Sequence, residues 1–328
     1  MERWDKVGRI AAYGAAAAMT PYLVIKVCWV VGSMIGLAPS GDGYSTAGWA
    51  LLNTVTIGMA AVGIALALAL VRPWGNRVPG RAVIFCAWTG AGFLVSILPY
   101  AVLSTVLGAA DGSSSGSDDE GAAASPGWID ALLQFSFLGM GLGLAIALPA
   151  YLRRRWPEPF VGPAQVVPGA WWPIGAAFGV GVAWLYWAVG GTVGIEHPDE
   201  RELNGALLNG LSGLWALAGA AALWMLVRGR PTRIPHQFLL AIAWLGSGSL
   251  FAWSAWKLPL TLVVELAQPD DITPPEIFAV AATLHLAAVV AGAGMLVVLL
   301  RSFRRMAAAG PGTAVTPSGD PIVTADPE

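Results

Sequence analysis

Residues 50–72 read ALLNTVTIGMAAVGIALALALVR, and residues 206–228 read ALLNGLSGLWALAGAAALWMLVR. Between the asparagine and the closing arginine neither stretch carries an ionisable side chain. Each has the roughly 20 apolar residues a helix needs to cross a hydrocarbon layer. No water reaches that depth to satisfy backbone N–H and C=O groups, so such segments must be helices rather than open strands. The matching ends, 156 positions apart, add that the plan of the chain is duplicated, and internal repeats decide a fold before other signals do.

Outward from this pair, the whole chain has the same character. Its 328 residues are 56% hydrophobic and 12% charged, with a mean hydropathy of +0.65. Soluble domains carry about a quarter charged residues. A soluble enzyme, a nucleic-acid binder with a basic patch and a disordered regulator are therefore excluded, and the bilayer is the first partner. Eight stretches are long and apolar enough to span it, near 10–37, 47–71, 82–108, 128–152, 171–195, 205–227, 237–264 and 276–300. The expected fold is all-α, a polytopic membrane protein with eight transmembrane helices. The first apolar run is longer than the core of a cleaved signal peptide, and its flank holds Glu2 and Asp5 beside the bases, so it is read as a span.

Fifteen of the eighteen Lys and Arg fall in five groups on one side of these spans: Arg3, Lys6, Arg9; Arg72, Arg77, Arg81; Arg153, Arg154, Arg155; Arg228, Arg230, Arg233; Arg301, Arg304, Arg305. In the loops of the other side only Arg201 is basic, and fourteen of the twenty acids lie there. The excess of bases in cytoplasmic loops predicts a plasma-membrane protein with both termini in the cytoplasm.

The duplication extends beyond the opening pair. Arg77-Val78-Pro79 matches Arg233-Ile234-Pro235, and Ala87-Trp88-x-Gly90-x-Gly92 matches Ala243-Trp244-x-Gly246-x-Gly248, at the same offset. Trp29, Val31, Gly32 and Gly36 match Trp187, Val189, Gly190 and Gly194 at 158, while Gly141, Gly143, Arg153 and Arg154 match Gly292, Gly294, Arg304 and Arg305 at 151. Four crossings per unit give two parallel four-helix repeats related by an axis along the membrane normal. The expected domains are 1–155, with a flexible external loop at 109–127, and 171–306. A Pro-rich cytoplasmic linker spans 156–170, and a disordered cytoplasmic tail spans 307–328.

At Trp187-Ala188-Val189-Gly190-Gly191-Thr192-Val193-Gly194 the chain resembles a family of small four-helix actinobacterial membrane proteins of unknown function, which carry a similar Trp-Ala-x-Gly-Gly-x-x-Gly signature. The resemblance implies a four-helix architecture, here duplicated, and no mechanism. The first copy departs from it, with Ser33 in place of the second glycine. Physically, the glycines let a helix end open or a backbone approach closely, and packing is favoured over ligand binding there.

Chemistry is sparse. The histidines His197, His236 and His285 lie at different depths, so no metal site is expected, and no cofactor motif is present. At 1.5 Å per residue, Cys28 and Cys86 stand about 20 Å apart in depth, too far for a disulfide. No Asp or Glu lies deep in a span, which disfavours proton antiport. The sixteen tryptophans read first as interface anchors, and Gly139-x-x-x-Gly143 as close helix packing. Gly210-Leu211-Ser212-Gly213 followed by His285 resembles the Gly-x-Ser-Gly and His dyad of rhomboid intramembrane proteases, which would make Ser212 and His285 catalytic.

Polar side chains are costly in hydrocarbon unless they face one another or water. Lys26, Asn53, Gln134, Asn209, Ser212 and His285 all lie in the outer half, with Lys257 nearer the surface. The sequence thus predicts an outward-facing polar pocket, with Lys26 supplying charge for a small anionic or zwitterionic ligand. The favoured activity is a ligand-binding or permeation scaffold rather than an enzyme. A rhomboid-like serine protease is the alternative, and a structural subunit of an envelope complex the third reading.

Overall fold

A computed structural model of the chain describes residues 2–37, 46–110, 127–155, 170–228, 234–267 and 274–308. The expected external loop, linker and tail lie, apart from their end residues, outside these ranges. Eight helices carry the described residues: α1 (Glu2–Met34), α2 (Thr46–Ala69), α3 (Gly80–Ala110), α4 (Gly127–Arg155), α5 (Trp171–Ala188), α6 (Leu203–Arg228), α7 (His236–Ala267) and α8 (Phe278–Ala308). Two short 3-10 turns, Pro73–Arg77 and Pro198–Glu200, sit in the connections. Among the described residues the extended pairing is limited to one isolated bridge between Ile195 and Glu276, so the fold is all-helical as expected.

Seven of the helices are long and apolar enough to cross a membrane; α5 is not. It stops after 18 residues, short of the roughly 20 that a crossing needs and of the lengths of the other seven. The expectation of 171–195 as one continuous span is corrected at its end. The chain leaves the helix at Gly190, whose φ of +97° only glycine adopts readily. There the Gly191 N–H donates back to the Tyr186 carbonyl at 2.8 Å, closing the last turn. α1 in turn starts earlier than expected, taking the charged residues 2–9 into the helix.

Small residues set the packing. α1 and α4 run antiparallel with alanine against glycine, so that a Cβ on Gly143 would lie 2.6 Å from Ala15 Cβ and one on Gly8 2.6 Å from Ala150 Cβ. Gly139 meets Ala18 on the same seam. The Gly139/Gly143 pair is therefore a close-packing device. α1 lies between α2 and α4, whereas α5, α6, α7 and α8 close on one another in a ring. α3 turns away from its own half and packs chiefly on α7.

That α3–α7 seam joins the halves. Gly92 and Gly248 meet backbone to backbone. Trp88 Nε1 donates to Ser247 Oγ at 3.0 Å, and Ser96 and Ser249 hydroxyls bond at 2.6 Å. Trp88 also stacks on Phe251 with ring centroids 4.8 Å apart. Around the perimeter, Val24, Leu51, Val62, Phe178, Leu286 and Val290 project outward. That arrangement suits surroundings as apolar as the core and would be unfavourable in water.

Candidate functional site

The polar residues expected in an outward-facing pocket do not converge on one. Lys26 and Asn53 lie on α1 and α2, His285 and Lys257 on α8 and α7, and Gln134, Asn209 and Ser212 belong to neither cluster.

In the first cluster Lys26 is 5% exposed. Its ammonium stands 4.6 Å from the Trp29 ring centroid and 5.6 Å from that of Tyr22, one helical turn to either side on α1. Residues three and four apart share a helix face, which is how α1 places two aromatic rings around its lysine. Trp29 leans on Trp49 of α2 with centroids 6.1 Å apart. Asn53, 1% exposed, donates from Nδ2 to the Trp49 carbonyl at 2.9 Å. Lys26 and Asn53 are thus linked through the Trp29–Trp49 pair, a buried cation over two aromatic rings on α1 and a buried amide on α2.

In the second cluster His285 Nδ1 lies 3.2 Å from Ser254 Oγ, and its ring stands 6.0 Å from Trp184. Ser254 is wholly buried. Lys257, one turn further along α7, lies 5.9 Å over the Trp253 ring. Ser212 is buried, and its hydroxyl has no partner among the described residues. The bond that a Ser212–His285 dyad requires is therefore not made, and the histidine's Nδ1 pairs with Ser254. Asn209 is half-buried on α6, and Gln134 is exposed on α4. No metal-binding group of three His, Cys, Asp or Glu forms among the described residues. Cys28 and Cys86 are both free thiols.

No family model, curated protein or solved structure matches the chain. The assignment of function therefore rests on geometry.

The glycine-rich signature is the best-built piece of the outer surface. Trp187 Nε1 donates to the Val193 carbonyl at 2.8 Å, while the Thr192 and Val193 amides donate to Tyr186 Oη at 3.1 and 3.2 Å. Gly191 packs against the Tyr186 ring, where a side chain would collide, and its carbonyl accepts from Arg201. Gly194, at φ +82°, presents its carbonyl to Ile277 N–H at 3.0 Å. The loop after α5 is thereby tied to the start of α8. Below it a cleft of about 540 Å³ opens between α5 and α8. None of the seven polar residues expected in a pocket lines it.

Sequence reasoning missed Ser254, Trp184 and the Ser96–Ser249 bond. Ser254 belongs to no motif. Trp184 stands 158 positions after Lys26, the offset at which the ends of α1 and α5 match, and that spacing does not reveal what the tryptophan touches.

Proposed function

We propose that the chain is a multi-pass plasma-membrane protein with both termini in the cytoplasm. In this reading it is built from two four-helix units of like orientation and acts as a binding or permeation scaffold for a small anionic or zwitterionic ligand. The observation that carries the ligand class is the buried Lys26 ammonium between Trp29 and Tyr22, with the Asn53 amide on the neighbouring helix. An ionisable group inside a membrane bundle is a functional-site hypothesis by default.

Eight crossings, rather than seven, are supported by the course of α5 along α8. A Cβ on Gly294 would meet Trp172 and Pro173, near the start of α5, while Gly194 beyond its end meets Val280. From Val280 to Gly294 α8 rises about 21 Å, and α5 accompanies it over that length. If α5 did not cross, Arg228, Arg230, Arg233, Arg301, Arg304 and Arg305 would all be displaced to the outer side, against the charge rule. The duplicated plan is supported by the meeting of Gly92 with Gly248, which are counterparts at offset 156.

Serine-protease action is less well supported, because Ser212 has no base and His285 is held by a fully buried serine. A purely structural role in an envelope complex leaves the buried Lys26 without a purpose. To test the scaffold reading, the purified protein is screened by thermal unfolding against glutamate, succinate, inorganic phosphate and glycine betaine. At least one should stabilise the wild type, by about 2.7 kcal/mol at a hundredfold excess over Kd. Lys26→Met should remove that stabilisation. Stabilisation that survives Lys26→Met, or cleavage of a co-expressed membrane substrate that is lost in Ser212→Ala, would reverse the order of the readings.

A further inference from the structure

The cleft between α5 and α8 is walled by Ala183, Tyr186, Trp187, Val280, Thr283 and Leu284, almost wholly apolar. Tyr186 and Thr283 are exposed on the perimeter of the bundle, so the cleft opens sideways rather than toward the helix core. It extends from the loop at Val193 down to Ala183, one turn of about 5 Å below Tyr186. In the proposed topology that is the level where headgroups give way to acyl chains.

A cation stands at the mouth. Arg201 donates to the carbonyl of Gly191, and Gly191 lies against the Tyr186 ring that forms one wall. No carboxylate of the described residues is within ion-pair distance of Arg201. A guanidinium has five N–H donors in a planar fork suited to phosphate, and the Gly191 carbonyl leaves most of them uncommitted. Arg201 is also the sole base in the loops of this side, amid Glu196, Asp199, Glu200 and Glu202. Those carboxylates repel a free anion arriving from solution, so an anion can settle there only if something else supplies the affinity. An apolar chain in the adjoining cleft does so, at about 0.8 kcal/mol for each buried methylene.

We infer that this cleft seats one acyl chain of an anionic phospholipid, with the phosphate on Arg201. The signature residues 187–194 acquire a purpose in this arrangement: Trp187 forms a wall, and the two left-handed glycines bend the loop so that it closes the upper end and holds Arg201 in place. The inference rests on the proposed topology, which sets both the depth of the cleft and the leaflet that supplies the lipid.

The test uses the full chain in dodecyl maltoside, titrated with phosphatidylglycerol or phosphatidylcholine, with bound lipid counted by native mass spectrometry. Phosphatidylglycerol should bind about tenfold more tightly than phosphatidylcholine, and Arg201→Gln should bring the two within about threefold, while Arg201→Lys keeps most of the preference. Ala279→Trp, at an exposed position on the cleft, should weaken both lipids by about tenfold without lowering the melting temperature in detergent. Glycerol phosphate, which has the head and no chain, should displace neither. Equal binding of the two lipids by the wild type, wild-type binding by Ala279→Trp, or displacement by glycerol phosphate overturns the proposal.

Discussion

At the scale of single residues, the α3–α7 seam holds two tryptophans in matching sequence contexts, Trp88 and Trp244, that fare differently. Trp88 Nε1 finds Ser247, yet its counterpart Trp244 has a buried Nε1 with no partner among the described residues. The residue at offset 156 from Ser247 is Ala91, which cannot accept a hydrogen bond. Ala91→Ser should supply the missing acceptor and stabilise the protein by about 0.5–1.5 kcal/mol, the net worth of an intramolecular hydrogen bond. Ser247→Ala should cost about 1–3 kcal/mol, since it strands the buried Trp88 donor. Both are measured by thermal unfolding in detergent; a destabilised Ala91→Ser would show that Trp244 and residue 91 do not face each other. The tryptophans were legible in the sequence as a repeated pair. Their hydrogen bonds were not, because donors find acceptors through helix rotation, which no local pattern encodes.

At the scale of elements, α1 and α5 end differently although their ends match in part, and among the positions that differ there Tyr186 and Gly191 stand where α1 has Cys28 and Ser33. α5 closes at Gly190 and Gly191, with the Tyr186 ring resting on Gly191. In α1 that position is Ser33, whose hydroxyl donates to the Val30 carbonyl at 3.0 Å. The helix there runs on to Met34 and closes at Gly36, φ +71°, where Leu37 N–H donates to Gly32 O at 2.8 Å. Gly191→Ala should therefore destabilise by about 1–3 kcal/mol through collision with Tyr186. Ser33→Gly should change stability by no more than about 1 kcal/mol, the cost of glycine near a helix end. Equal effects of the two substitutions on the unfolding temperature would refute this account. The missing glycine was visible in the sequence, and so was the helix periodicity; where each helix stops depended on a ring three to five residues upstream folding back over the chain.

At the scale of the whole molecule, the arrangement of charge makes the strongest claim. In a Cys28→Ser, Cys86→Ser background, an impermeant thiol reagent applied from outside should label Ser115→Cys and Thr192→Cys and leave Arg230→Cys untouched. Labelling at 115 and 230 without 192 would mean that α5 does not cross; labelling at 230 alone would reverse the orientation. Gly92→Val should loosen the joint between the halves, costing about 3 kcal/mol, the upper end for overpacking.

Apolar length, the absence of buried carboxylates and the repeated ALLN and LVR ends were enough to determine an all-helical membrane protein from the sequence alone, because the bilayer admits so few ways to satisfy a backbone. The position of each polar residue along its helix was legible too, since helical rise converts sequence distance into height along the axis. Azimuth was not. Whether Lys26 shares a wall with Asn53, whether His285 meets Ser212 or Ser254, and whether α3 stays with its own half or crosses to α7 depend on how each helix is rotated about its axis. That rotation is decided by which small residues let two backbones approach, as at Gly92 and Gly248. Only the tertiary structure decided that the outer polar residues do not converge on one pocket, and that the glycine-rich signature closes a cleft.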